Sequence, residues 1–159
     1  MASAIRHDLA NEEATVAFAH QFAALARAGD IFALSGDLGS GKSVFARAFI
    51  RARTQADEEV PSPTFTLVQT YDDAAQGVAI HHYDLYRLKA PEEALELAIE
   101  DAFAEGITLI EWPERLGPLL PARRLLMQFL PGPSPTARRV VLHADAAWRD
   151  RLKGAGLAV

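Results

Sequence analysis

The chain has 159 residues, 50% hydrophobic and 23% charged, which is enough for one domain with a packed core. It has no cysteine, which excludes disulfides, thiolate catalysis and cysteine-ligated zinc. Its net charge of −5, from 16 basic and 21 acidic side chains, argues against strong direct binding of nucleic acid, which needs a basic face.

Residues 1–11 mix Arg6, His7 and Asp8 and lack the apolar stretch of a signal peptide. No apolar run approaches the ~20 residues of a membrane span, so a cytoplasmic protein without membrane association is expected. Glu12 to Ala28 reads as a helix: Asn11 caps it, Glu12 and Glu13 sit in its first turn, and Gly29 follows it. Ala14, Phe18, Phe22 and Leu25 recur at helical spacing and define its buried stripe.

Ile31 to Leu34 is a short buried strand. Gly36-Asp37-Leu38-Gly39-Ser40-Gly41-Lys42-Ser43 follows it, a full G-x-x-x-x-G-K-[ST] loop, and a helix then runs to about Arg53. This strand–loop–helix setting marks a site for a nucleoside triphosphate. The backbone of Gly36, Leu38, Gly39, Ser40 and Gly41 can curl around phosphate oxygens, aided by the positive end of the helix. Lys42 can reach the β- and γ-phosphates, and the Ser43 hydroxyl can hold Mg²⁺.

Asp57-Glu58-Glu59 is a solvated loop. Phe65 to Tyr71 and Val78 to Tyr83 form an antiparallel hairpin across a polar, glycine-ended connection. Pro91 opens a helical segment through about Ile99. Thr108 to Ile110 is a buried strand stopped by Pro113. Leu125 to Leu130 and Val140 to His143 are late strands around a proline-rich turn, and Asp145 to Lys153 is a final helix. The expected fold is α/β: a single-domain P-loop NTPase over residues 1–159, with a mixed, mostly parallel sheet flanked by helices.

Hydrolysis needs a carboxylate near Mg²⁺ and a group to hold the attacking water. Asp84 and Glu111 each end an apolar strand, and either suits the metal side. Strand-end acids also cap helices, an alternative open for Asp84 but weaker for Glu111, because Trp112-Pro113 leaves no helix to cap. Thr64, between Pro63 and Phe65, offers a hydroxyl that could sense the γ-phosphate or a water, or is simply loop. His81 and His82 point to opposite sheet faces and so cannot chelate a metal together. Trp112 is a core aromatic or a platform beside the nucleotide, and Trp148 is packing. No N/T-K-x-D guanine motif is present, so ATP is the expected nucleotide.

Four blocks occur in order: the loop at 36–43, Ser62-Pro63-Thr64-Phe65-Thr66-Leu67-Val68, His82-Tyr83-Asp84-Leu85-Tyr86-Arg87-Leu88 and Ile110-Glu111-Trp112-Pro113-Glu114. Together they resemble the TsaE (YjeE) family, the ATPase of bacterial tRNA threonylcarbamoyladenosine biosynthesis. The resemblance implies a Mg²⁺-dependent ATPase, slow alone, that supports the turnover of TsaD and TsaB without transferring the group itself. Those partners modify the adenosine beside the anticodon of ANN-decoding tRNAs, and the chain would meet tRNA only through them.

By the same resemblance, Lys42 and the 39–43 backbone bind phosphate, and Ser43 and Glu111 hold Mg²⁺. Asp84 and Thr64 position water or report the γ-phosphate. Trp112, Glu12 and Arg139 flank the nucleotide, with Glu12 near the adenine. Ser43 stands where many members carry threonine, which preserves the hydroxyl, and Phe65 stands where tyrosine is common. Two other readings are compatible with the sequence, a small-metabolite kinase and a nucleotide-binding scaffold without turnover.

Overall fold

The computed structural model describes residues 4–63, 66–73 and 76–158. The strands run β1 (Ile5–Leu9), β2 (Ile31–Ser35), β3 (Val68–Asp73), β4 (Val78–Asp84), β5 (Ile107–Glu111), β6 (Leu125–Pro131) and β7 (Arg138–His143). The α-helices are α1 (Glu12–Leu25), α2 (Lys42–Arg53), α3 (Ile99–Glu105) and α4 (Ala146–Gly154), with 3-10 helices at Pro91–Leu97 and Pro113–Leu119.

Among the described residues the strands form one sheet in the order β1-β7-β6-β2-β5-β4-β3. β2 lies in the middle, parallel to β5 and β6, and β4 is parallel to β5. The pairs β1–β7, β6–β7 and β3–β4 are antiparallel, so the sheet is mixed, as expected, but not mostly parallel: the antiparallel pairings at its two sides equal the three parallel ones. β2 reads Ile-Phe-Ala-Leu because helices cover both its faces, leaving no polar side to alternate with.

One face carries the larger core, in which Phe18 and Phe22 of α1, Phe45 and Phe49 of α2, and Trp148 of α4 meet Phe32 and Phe129 of the sheet. Their rings pack edge-on, as Phe32 does on Phe49 at 5.2 Å and on Trp148 at 5.4 Å. Each such side chain contributes about 1.5–3 kcal/mol by burial. The other face packs Ile31, Tyr83 and Ile110 against α3 and the two 3-10 helices through Ala94, Ile99, Phe103 and Leu116.

Asn11 caps α1 as expected, its side-chain oxygen accepting from the Ala14 N–H at 2.9 Å. Three elements differ from the sequence reading. The sequence assigns no element to β1; its Ile5 and Leu9 are buried and it pairs with β7. The segment opened by Pro91 is a 3-10 helix that breaks at Ala98, in the left-handed region at φ 54°, before α3 begins. β5 ends before Pro113 as expected, but Pro113 also starts a 3-10 helix where the sequence offered none, because proline's fixed φ suits a first helical position.

A buried arginine ties three elements together. Arg53, at the end of α2, pairs with Asp73 of β3 at 2.7 Å, both side chains almost fully buried. It also donates to the carbonyls of Ala23 and Ala26 at the end of α1 and to Gln76 in the hairpin turn. Arg53→Ala strands the Asp73 carboxylate in the interior, so urea unfolding should show a loss of about 3–5 kcal/mol. A loss below about 1 kcal/mol, the worth of a surface pair, would mean that this junction is not structural.

Candidate nucleotide site

The register of the three central parallel strands builds the site. Leu34 of β2 lies beside Glu111 of β5, and Glu111 lies beside Asp84 of β4. The carboxyl ends of these strands therefore finish together, at the edge where open α/β sheets bind ligands. The loop 36–41 leaves β2 at that edge and returns as α2.

Backbone geometry requires glycine at two positions of this loop. Gly36 has φ 143°, and a Cβ there would stand 2.7 Å from both the Phe129 carbonyl oxygen and Ser40 Oγ. Gly41, the residue before α2, has φ 106°, and a Cβ there would press on the Arg138 side chain at 3.3 Å. The first helical bond of α2 runs from the Phe45 N–H to the Gly41 carbonyl. The N–H groups of Lys42, Ser43 and Val44 thus have no partner one turn back, which leaves them available to an anion.

Lys42 is 4% exposed; its Nζ donates to the Gly36 carbonyl at 2.5 Å and sits 3.9 Å from the centre of the Trp112 ring. Burial pulls this ammonium below the usual lysine range, and the charges of Glu111, Glu114, Asp84 and Asp37 pull it back. Trp112 holds its ring there from a left-handed backbone at φ 60°, with Tyr86 packed on it at 4.9 Å.

Glu111 is 3% exposed and is held at both oxygens. Ser43 Oγ donates to Oε1 at 3.2 Å, and His82 Nε2 lies 2.7 Å from Oε2. A hydroxyl and a carboxylate side by side are the hard oxygen donors that Mg²⁺ takes when it arrives on nucleotide phosphates. The Ser43–Glu111 pair therefore fits that ion. Asp84 is buried at the same edge, and its Oδ1 accepts from the Tyr86 N–H at 3.1 Å, so it caps the turn after β4 while lining the site.

A pocket of about 290 Å³ brings together Leu38, Gly39, Ser40, Gly41, Lys42, Ser43, Ser62, Asp84, Glu111 and Trp112. Gly36 lines a larger neighbouring cleft of about 830 Å³ that also contains Leu38, Trp112 and Arg138. Leu38, at the tip of the loop, is 71% exposed. Glu12 lies across the start of α2, where it lines a small cleft with Thr15, Gly41, Val44, Thr136 and Arg138. Thr64 lies outside the described residues.

Arg139 stands away from these clefts, paired with Asp8 of β1 at 3.0 Å on an exposed edge. Its neighbour Arg138 takes the place by the loop, donating to the carbonyls of Gly39 at 3.0 Å, Pro135 at 2.8 Å and Ala137 at 2.7 Å. Successive strand residues face opposite ways, so one position decides which arginine reaches the site. His82, which cannot chelate a metal together with His81, joins the site through Glu111. The signal that could have found it is the two-residue step from His82 to Asp84, which puts both on one face of β4.

The profile described as "Threonylcarbamoyl adenosine biosynthesis protein TsaE" matches residues 9–140. The chain is 46% identical over 113 residues to the tRNA threonylcarbamoyladenosine biosynthesis protein TsaE of Rickettsia bellii, covering 71% of this chain and 77% of that protein. To the TsaE of Bacillus subtilis it is 36% identical over 116 residues, covering 72% of this chain and 70% of the relative. Among solved structures, that of Bacillus subtilis YdiB superposes with a TM-score of 0.80 at 26% identity, over 98% of this chain and 96% of the other.

Proposed function

The chain belongs to the TsaE family of tRNA threonylcarbamoyladenosine biosynthesis, and from that membership we propose that it is a Mg²⁺-dependent ATPase acting with TsaD and TsaB homologues. In this reading it works as one domain, slow alone, and its nucleotide state governs the turnover of those partners on ANN-decoding tRNAs. It does not transfer the threonylcarbamoyl group, and it reaches tRNA through the complex.

The observation that carries the proposal is the Ser43–Glu111 contact at the open start of α2, with Lys42 beside it. The loop amides and Lys42 bind the phosphates, and Ser43 and Glu111 hold Mg²⁺. When bound, the ion screens the charge of the phosphates and holds them in register. Asp84 and Thr64 orient the attacking water or report the γ-phosphate, and Trp112 and Glu12 flank the nucleotide.

Co-purification with tagged TsaD and TsaB, in ATP analogue, in ADP and without nucleotide, tests the coupling. The expected result is recovery that changes with the nucleotide present. Equal recovery in all three conditions would contradict it.

A further inference from the structure

Resting on that nucleotide site, we propose that His82 is the positioning residue that sets Glu111 for a divalent cation. Alternation along β4 puts Ile80, His82 and Asp84 on one face, and the register places His82 beside Leu109 of β5. The imidazole is 2% exposed, among positions the sheet otherwise fills with apolar side chains. A leucine would pack there at no polar cost, whereas a buried imidazole is expensive unless it is bonded. Its Nδ1 is buried and has no hydrogen-bond partner among the described residues. Its one bond among the described residues is from Nε2 to Glu111 Oε2 at 2.7 Å, and because a carboxylate only accepts, the ring donates from Nε2.

That bond decides what Glu111 faces. With Oε2 held, Oε1 turns to Ser43 Oγ at 3.2 Å. Lys42 is the competing partner. Glu111 heads the acids whose charge acts on it, yet among the described residues no ion pair joins the two. Instead Lys42 donates to the Gly36 carbonyl. His82 thus keeps the carboxylate on the metal side and leaves the lysine to the phosphates. Partners of this kind, which orient a metal-ligating carboxylate, typically change metal affinity 10–100-fold when removed.

The test is binding of methylanthraniloyl-labelled ATP, in EDTA and across a MgCl₂ titration, for wild type, His82→Leu and His82→Gln, with melting curves to verify folding. His82→Leu should need about 10–100-fold more Mg²⁺ for half-maximal effect while its affinity in EDTA stays within about twofold of wild type. His82→Gln, whose amide nitrogen stands near the place of Nε2, should restore the Mg²⁺ response. A wild-type Mg²⁺ curve for His82→Leu, a glutamine variant as impaired as the leucine one, or an equal loss in EDTA would each overturn the inference. Wild type that binds no labelled ATP under any condition would overturn the nucleotide-site reading and this inference with it. Normal wild-type binding beside an unchanged His82→Leu would overturn the inference alone.

Discussion

Lys42→Ala is expected to yield a folded protein whose ATP turnover is lower by about 10²–10³-fold, the usual cost of removing one charge-stabilising group from a preorganised site. Lys42 is almost fully buried, and its contacts are the Gly36 carbonyl and the Trp112 ring. Neither contact joins the two halves of the core, so thermal melting should stay close to wild type. The loss should therefore appear in phosphate release and in the competence to support partner turnover. Lys42→Arg should rescue little, because a planar fork does not replace a compact ammonium in this space. Wild-type turnover by folded Lys42→Ala would remove the loop lysine from the mechanism.

Glu111→Gln should be as severe for turnover and mild for binding. The amide keeps an oxygen for His82 but brings no charge to the cation. Mg²⁺-stimulated hydrolysis is then expected to fall by about 10²–10³-fold, with nucleotide affinity in EDTA little changed. Glu111→Ala should add a stability loss of about 1–3 kcal/mol, because it strips a buried imidazole N–H of its acceptor. Comparing the two by hydrolysis and by urea unfolding separates the metal role from the structural one. An unchanged rate for Glu111→Gln would exclude the carboxylate from the metal side.

The local parts of this site were legible because one stretch of chain carries them. The glycines at 36 and 41, Lys42 and Ser43 declare a phosphate cradle by spacing alone, and the apolar strand before them supplies its context. Asp84 and Glu111 were visible as acids ending apolar runs, but their proximity depends on the β4–β5 register, a non-local fact. The His82–Glu111 bond joins residues on different strands, and its one local hint is the two-residue step that puts His82 and Asp84 on the same face of β4.

Elsewhere the outcome turned on strand pairing and register, which no local stretch of sequence carries. The one-position choice between Arg138 and Arg139 turns on where β7 begins, and a slip of one residue exchanges the two faces. β1 carries three polar residues in a row and becomes a strand only because β7 offers it an edge. The proline at 113 ends β5, as its position suggests, and also opens a helical turn, with Trp112 absorbing the change of direction at φ 60°.

The most direct measurement is multiple-turnover reaction of labelled ATP with the purified protein, with and without TsaB, TsaD and tRNA, beside a parallel arm containing a metabolite pool. Free phosphate should be released slowly by the protein alone and faster with the partners, and no metabolite should be phosphorylated. Label appearing on a metabolite, or phosphate release that ignores the partners, would contradict the proposed function.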